Sequence, residues 1–270
     1  MEQKPLVVVN GLVRKDAIAY LKEHVDVRQW TEKTVMPREV LKEWLIDADG
    51  LWCVRPLDVD GDLVKNAPNL KVIAQAAVGY DNVNIDELTA AGIPYGNTPG
   101  VLNETVAELA FTLIATASRR ILENANFVKD GRWAQRPSNI KGFDLSRRTL
   151  GIIGMGAIGV SISRRARAFG MTVVYHNRNQ RIDDKIHKTT YMELDDLLAI
   201  SDVVCVMAPL TDETYHMCDE AFFKKMKNTA LFVNVGRGPI VDTDALINAL
   251  KTGEIDYAAL DVTDPEPLPA

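Results

Sequence analysis

Residues 149–178 read TLGIIGMGAIGVSISRRARAFGMTVVYHNR. An apolar run leads into Gly154-x-Gly156-x-x-Gly159, a helical stretch follows, and a second apolar run closes the segment. Few folds accommodate a strand, a glycine turn, a helix and another strand in so short a span. The glycine spacing alone is weak evidence. Its placement between a strand and the opening of a helix is what a dinucleotide fingerprint requires. The first glycine permits the tight turn, the second lets backbone approach a pyrophosphate, and the third lets helix and strand pack closely. The helix N-terminus then turns N–H groups and a partial positive charge toward the phosphates.

The end of the second strand bears on the choice of cofactor. A carboxylate there would accept from a ribose 2′-OH and repel a 2′-phosphate. This chain has Asn177 at that place, then Arg178, with Arg181 nearby. A guanidinium pairs well with phosphate, so the reading favours NADP over NAD.

Strand-like and helical runs alternate along both halves. LVVV (6–9), GLWCV (50–54) and VIAQAA (72–77) read as buried strands, separated by amphipathic stretches. A second alternation begins at Thr149, with strands expected at TLGII, TVVYH, DVVCVMA, ALFVNV and YAALDV. Helices are expected at about 158–169, 193–200, 220–227 and 243–252. The expected fold is α/β, with two doubly wound parallel-sheet domains covered by helices on both faces. The break at YGNTPGV puts the boundary after residue 97, giving domains 1–97 and 98–270. Asn103 is expected to cap the next helix, NETVAELAFTLIATASRR. Apolar residues run almost around that helix, which predicts burial on several sides and a candidate homodimer contact.

Composition narrows the function. A net charge of −6 argues against a nucleic-acid partner. No run approaches the roughly 18 apolar residues that span a membrane. Cys53, Cys205 and Cys218 form no CxxC pair, so buried thiols, a reducing cytoplasmic setting and no metal site are expected.

Three further stretches complete a pattern: QAAVGYDNVNID (75–86), NVGRGPIVDTDAL (234–246) and LDVTDPEP (260–267). With the glycine motif, NTPGVLNETVAELA and PLTDETYHM, they resemble the D-2-hydroxyacid dehydrogenase family over the whole chain. The likeness is greatest to glyoxylate, hydroxypyruvate and 2-ketogluconate reductases. It implies a flavodoxin-like substrate domain and a Rossmann cofactor domain, with substrate and nicotinamide meeting in a cleft. Small 2-keto acids would be reduced to D-2-hydroxy acids by NAD(P)H. It assigns substrate binding and catalysis to Arg237, and substrate-carboxylate binding to the amides of Val78 and Gly79. Thr105, Ala157, Ile158, Pro209, Val235 and Asp261 match cofactor contacts. Glu266 matches the acid that raises the pKa of a histidine proton donor.

In the family that histidine lies in a Pro-His turn well beyond the arginine. The sequence ends at Ala270, so the expectation is a chain shortened there, without the returning helix, that binds dinucleotide but turns over poorly. His24, His176 and His187 do not fit the role. His187 is expected in a polar loop, and His216 is a weak substitute. Dinucleotide sensors of the same fold are the alternative class, although a sensor has no need for Arg237 and Glu266 together. Oxidation of formate or phosphite on this fold is a third reading, disfavoured by LDVTDPEPLP.

Overall fold

The structure, a computed structural model, describes residues 4–134 and 140–269. The chain forms two compact units, Met1–Val101 and Leu102–Ala270.

The N-terminal unit alternates strands and helices in the order β1 (Leu6–Val9), α1 (Lys15–His24), β2 (Asp26–Gln29), α2 (Arg38–Leu45), β3 (Gly50–Cys53), α3 (Gly61–Lys65), β4 (Val72–Gln75), α4 (Ile85–Ala90) and β5 (Tyr95–Gly96). Its five strands are parallel in the order β2-β1-β3-β4-β5, the flavodoxin-like winding. Val8, Leu41, Leu45, Leu51, Leu63, Ile73 and Leu88 form the core. β2, β5 and α3 were not anticipated: DVRQ and YG carry little apolar signal and stand at sheet edges.

The C-terminal unit opens with α5 (Asn103–Ser118) and α6 (Ile121–Lys129). It continues with β6 (Thr149–Ile153), α7 (Ala157–Ala168), β7 (Thr172–His176), α8 (Asp184–His187), β8 (Thr190–Tyr191), α9 (Leu194–Ile200), β9 (Val203–Val206), α10 (Glu220–Lys225), β10 (Leu231–Asn234), α11 (Thr243–Thr252) and β11 (Tyr257–Leu260). Six parallel strands run β11-β10-β9-β6-β7-β8. That is the Rossmann order, with its switch point between β6 and β9. Central strands are buried on both faces. Val203 and Cys205 pack with α5 and α7, whereas Val204 and Val206 pack with α9 and α10. The alternation follows from the two-residue period of a strand.

Two local expectations are corrected. Leu102, not Asn103, occupies the cap of α5, and no side chain caps it. The preceding turn runs straight into the helix, with Val106 N–H already bonded to Leu102 C=O at 2.9 Å, so Asn103 is helical from the start. Glu104 anchors the helix instead. It accepts from Ser161 Oγ at 2.7 Å and pairs with Arg164 at 2.6 Å and Arg165 at 2.9 Å, tying α5 to α7. The Ser161 hydroxyl and Arg165 lower its pKa. His187 does not lie in a loop: it ends α8, with Nε2 3.1 Å from Asp183.

All three cysteines are free and buried, and burial pushes the Cys53 and Cys205 thiols up to about 12. No helix among the described residues is long and apolar enough to cross a membrane.

Candidate active site

The glycine turn stands at the carboxyl end of β6, beside the switch point of the sheet. Each glycine has a different physical reason. Gly154 has φ +101°, and a Cβ there would come within 2.6 Å of Ala208 N. A Cβ on Gly159 would sit 2.9 Å from the Gly154 carbonyl oxygen and 3.3 Å from Met155 Sδ, at the helix–strand contact. Gly156 is exposed, and a Cβ there would meet no protein atom within 4 Å. The protein itself therefore does not require glycine at 156. Open space over backbone at the head of α7, with Ala157 exposed and Ile158 half-buried in its first turn, is the cradle a pyrophosphate needs.

Asn177 follows the adjacent strand β7 directly and turns inward. Its Oδ1 accepts from Met155 N–H at 2.6 Å, and its Nδ2 faces Met155 C=O at 3.4 Å. Met155 lies between the first two glycines, so Asn177 braces the loop. Arg181 adds to this brace, donating to the same Met155 C=O at 3.0 Å. Two further bonds, at 2.7 and 2.8 Å, lock Arg181 onto Asp183. The Arg181 hydrogen bond, outweighing burial and aided by His187, holds the Asp183 carboxyl down at about 2. Sequence reasoning placed Asn177 and Arg181 near the ribose but missed this bracing, because it depends on how the turn folds back.

Arg178 points outward and is 80% exposed. Its nearest acid is Glu213, 3.4 Å away and also exposed. Both line a pocket of about 430 Å³ together with Gly154, His176, Pro209 and Thr214. That volume lies within the range of small-molecule sites. Of the residues expected at the cofactor, Gly154, Asn177, Arg178 and Pro209 thus share one pocket. Thr105 is exposed in the first turn of α5.

The second constellation of this unit forms at the carboxyl ends of β10 and β11. Val235 is buried at 6% exposure, and Arg237 is half-buried two residues later. The fully buried Asn234 spans their turn. Its Oδ1 accepts from Gly236 N–H at 3.0 Å, and its Nδ2 donates to Arg237 C=O at 2.9 Å. Its own carbonyl receives Asp261 N–H at 3.0 Å, linking the Arg237 turn to the end of β11. Beyond Asp261 the chain crosses Gly238, and Thr243 Oγ1 donates to Asp264 C=O at 2.6 Å. Glu266 follows and is exposed. Among the described residues it forms no ion pair with a histidine. His216 lies in the loop after β9 with φ +49°, its ring stacked on Tyr215 at 4.1 Å.

In the N-terminal unit, Val78 and Gly79 follow β4 at the carboxyl edge of the sheet. Their carbonyls are held: Asn97 Nδ2 donates to Val78 C=O at 2.8 Å, and Gln75 Nε2 to Gly79 C=O at 2.9 Å. The Val78 carbonyl and the Gly79 N–H share one peptide plane and point oppositely. Fixing the carbonyl therefore fixes the direction of the amide. Sequence reasoning found the turn but not the side-chain amides that set it.

The chain is similar to known proteins over nearly its whole length. Residues 111–270 match the model of the D-isomer specific 2-hydroxyacid dehydrogenase NAD binding domain. The chain is 42% identical to a glyoxylate reductase of Thermococcus gammatolerans, covering 98% of this chain and 81% of that protein. The crystal structure of a glyoxylate reductase from Paecilomyes thermophila superposes with a TM-score of 0.90 at 32% identity, over 99% of this chain and 84% of the other. An NADPH-dependent glyoxylate/hydroxypyruvate reductase from Sinorhizobium meliloti, solved with NADP and malonate, gives 0.88 at 29% identity over 99% and 82%.

Proposed function

We propose, from the premise that this chain belongs to the D-isomer specific 2-hydroxyacid dehydrogenase family, that it reduces a small 2-keto acid of the glyoxylate or hydroxypyruvate type to the D-2-hydroxy acid. The observation that carries the reading is Arg237, held at the end of β10 in the same Rossmann unit as the glycine cradle. The bound nicotinamide dinucleotide supplies hydride. The chain's own residues bind and orient.

We assign dinucleotide binding to the C-terminal domain, residues 98–270. There the backbone at Gly154, Gly156, Ala157, Ile158 and Gly159 takes the phosphates. Pro209 and Val235 line the cofactor, with Thr105 and Asp261 as further contacts. Arg237 receives the keto acid and polarises its carbonyl, since a guanidinium offers paired donors to such oxygens. The N-terminal domain, residues 1–97, is assigned the substrate carboxylate, through the amides of Val78 and Gly79. To Glu266 we assign the role its motif carries in the family, tuning an imidazole proton donor, a donor that is not among His24, His176, His187 and His216.

For the coenzyme we propose NADP over NAD. Asn177 spends its carboxamide on Met155, and Arg178, just past β7, is an exposed cation lining the same pocket. The pairing of Arg178 with Glu213 is exposed and worth at most about 1 kcal/mol. A 2′-phosphate dianion can displace it. Homodimerisation through α5 is supported by its exposed Leu109, and free buried thiols support a cytoplasmic setting.

The test is oxidation of NADPH and NADH by the purified chain with glyoxylate, hydroxypyruvate and 2-ketogluconate. Faster turnover with NADPH is expected. Tight dinucleotide binding without reduction of any 2-keto acid, both by this chain and by a version extended to supply the imidazole donor, would return the reading to a sensor, which likeness to reductases does not favour.

A further inference from the structure

We propose that Asn234 is the positioning residue of the substrate site: its carboxamide sets the direction in which Arg237 presents its guanidinium. The inference rests on the reading of Arg237 as the keto-acid residue and extends it.

Asn234 closes β10 with no exposed surface. Its two polar atoms are used on either side of Arg237. Oδ1 takes the N–H of Gly236 at 3.0 Å, and Nδ2 gives to the carbonyl of Arg237 at 2.9 Å. The orientation of the carboxamide is unambiguous, because an N–H requires the oxygen and a carbonyl requires the nitrogen. The peptide planes flanking this two-residue stretch are thus tied to one side chain. Between them Arg237 takes φ −138° and ψ +144°, so the origin of its side chain is fixed before any substrate arrives.

Neither aspartate nor serine can do this. Aspartate keeps the acceptor for Gly236 but sets a second oxygen against the Arg237 carbonyl. Serine can accept from Gly236 yet is too short to bridge the turn. A long side chain such as arginine gains most from such anchoring, since a misplacement of about 1 Å at a reacting centre can cost 10²-fold in rate.

The test is a mutant cycle on the purified chain, using Asn234→Asp, Asn234→Ser, Arg237→Lys and the two double variants. Readouts are kcat and KM for glyoxylate, Kd for oxalate as a non-reacting mimic, and Kd for NADPH. For each Asn234 variant we expect roughly tenfold or greater weakening of oxalate binding, a lower kcat and unchanged NADPH affinity. In the Arg237→Lys background the same substitutions should add little, because Asn234 acts through that residue.

Folded variants with unaltered keto-acid parameters, or effects that add in full to Arg237→Lys, would overturn the proposal. So would failure of both Asn234 variants to fold, which would assign the residue to the fold alone. A parent protein that neither binds oxalate nor reduces a keto acid, or an Arg237→Lys variant as active as the parent, overturns the functional reading instead.

Discussion

Gly238 packs directly under Thr263: a Cβ at 238 would overlap the Thr263 carbonyl oxygen and carbon. The turn that carries Arg237 and the segment that carries Glu266 are therefore in backbone contact, and only a glycine permits it. Alanine at 238 should push the 263–264 segment outward. We expect Gly238→Ala to lose about 1–3 kcal/mol of stability, as overpacked sites do. Keto-acid turnover should fall as well. Denaturant unfolding and steady-state kinetics measure both, and an unchanged midpoint would show that the contact relaxes freely.

Gly156 is expected to behave in the opposite way. Its backbone, φ −86° and ψ −160°, suits any residue, and an added methyl meets no protein atom. Gly156→Ala should therefore fold with stability within about 1 kcal/mol of the parent. Its affinity for dinucleotide should fall at least about tenfold if the methyl enters the space proposed above for phosphate. Calorimetry with NADPH separates the two effects, and undiminished affinity would remove Gly156 from the cradle.

Coenzyme preference should turn on Arg178. Losing a charged hydrogen bond costs about 1.5–3 kcal/mol, so Arg178→Ser should lower the NADPH-over-NADH ratio of kcat/KM by roughly 10- to 100-fold. Glu213→Gln should shift the ratio the other way by a few-fold, since the pair it breaks is exposed. Ratios unmoved by either change would refute the assignment.

Acid should weaken the brace of the glycine turn in a defined window. The Asp183 carboxyl is held at about 2, below its unfolded value of roughly 3.9. A depressed carboxyl contributes stability that is complete above the unfolded pKa and is lost as pH falls through the folded one. Unfolding of the parent and of Asp183→Asn should accordingly differ by a constant amount at neutral and mildly acidic pH. The two should converge as pH falls from about 4 toward 2. A gap that widens on acidification would contradict the sign.

The central parallel strands were legible because burial on both faces makes apolar runs of β6, β9 and β10. The glycine turn was legible because its backbone demands are local. What escaped was of two kinds. Short edge elements such as β2, β5 and β8 have too few apolar residues to register. Polar side chains whose partners are set by the folded turn, such as Asn97, Asn177 and Asn234, do not disclose those partners until the turn is formed. Asn103 misled for a related reason: a good capping side chain does not cap when the chain is already helical there.

Asn177 also bears on redesign of the enzyme. Aspartate is the intuitive replacement for converting such a site to NADH. Here it would retain the acceptor for Met155 N–H while setting a carboxylate oxygen against the Met155 carbonyl. The same substitution would thus alter the pocket beside Arg178 and loosen the glycine turn at once. Laboratory selection for altered coenzyme use should therefore leave position 177 alone and accumulate its changes at Arg178 and Glu213.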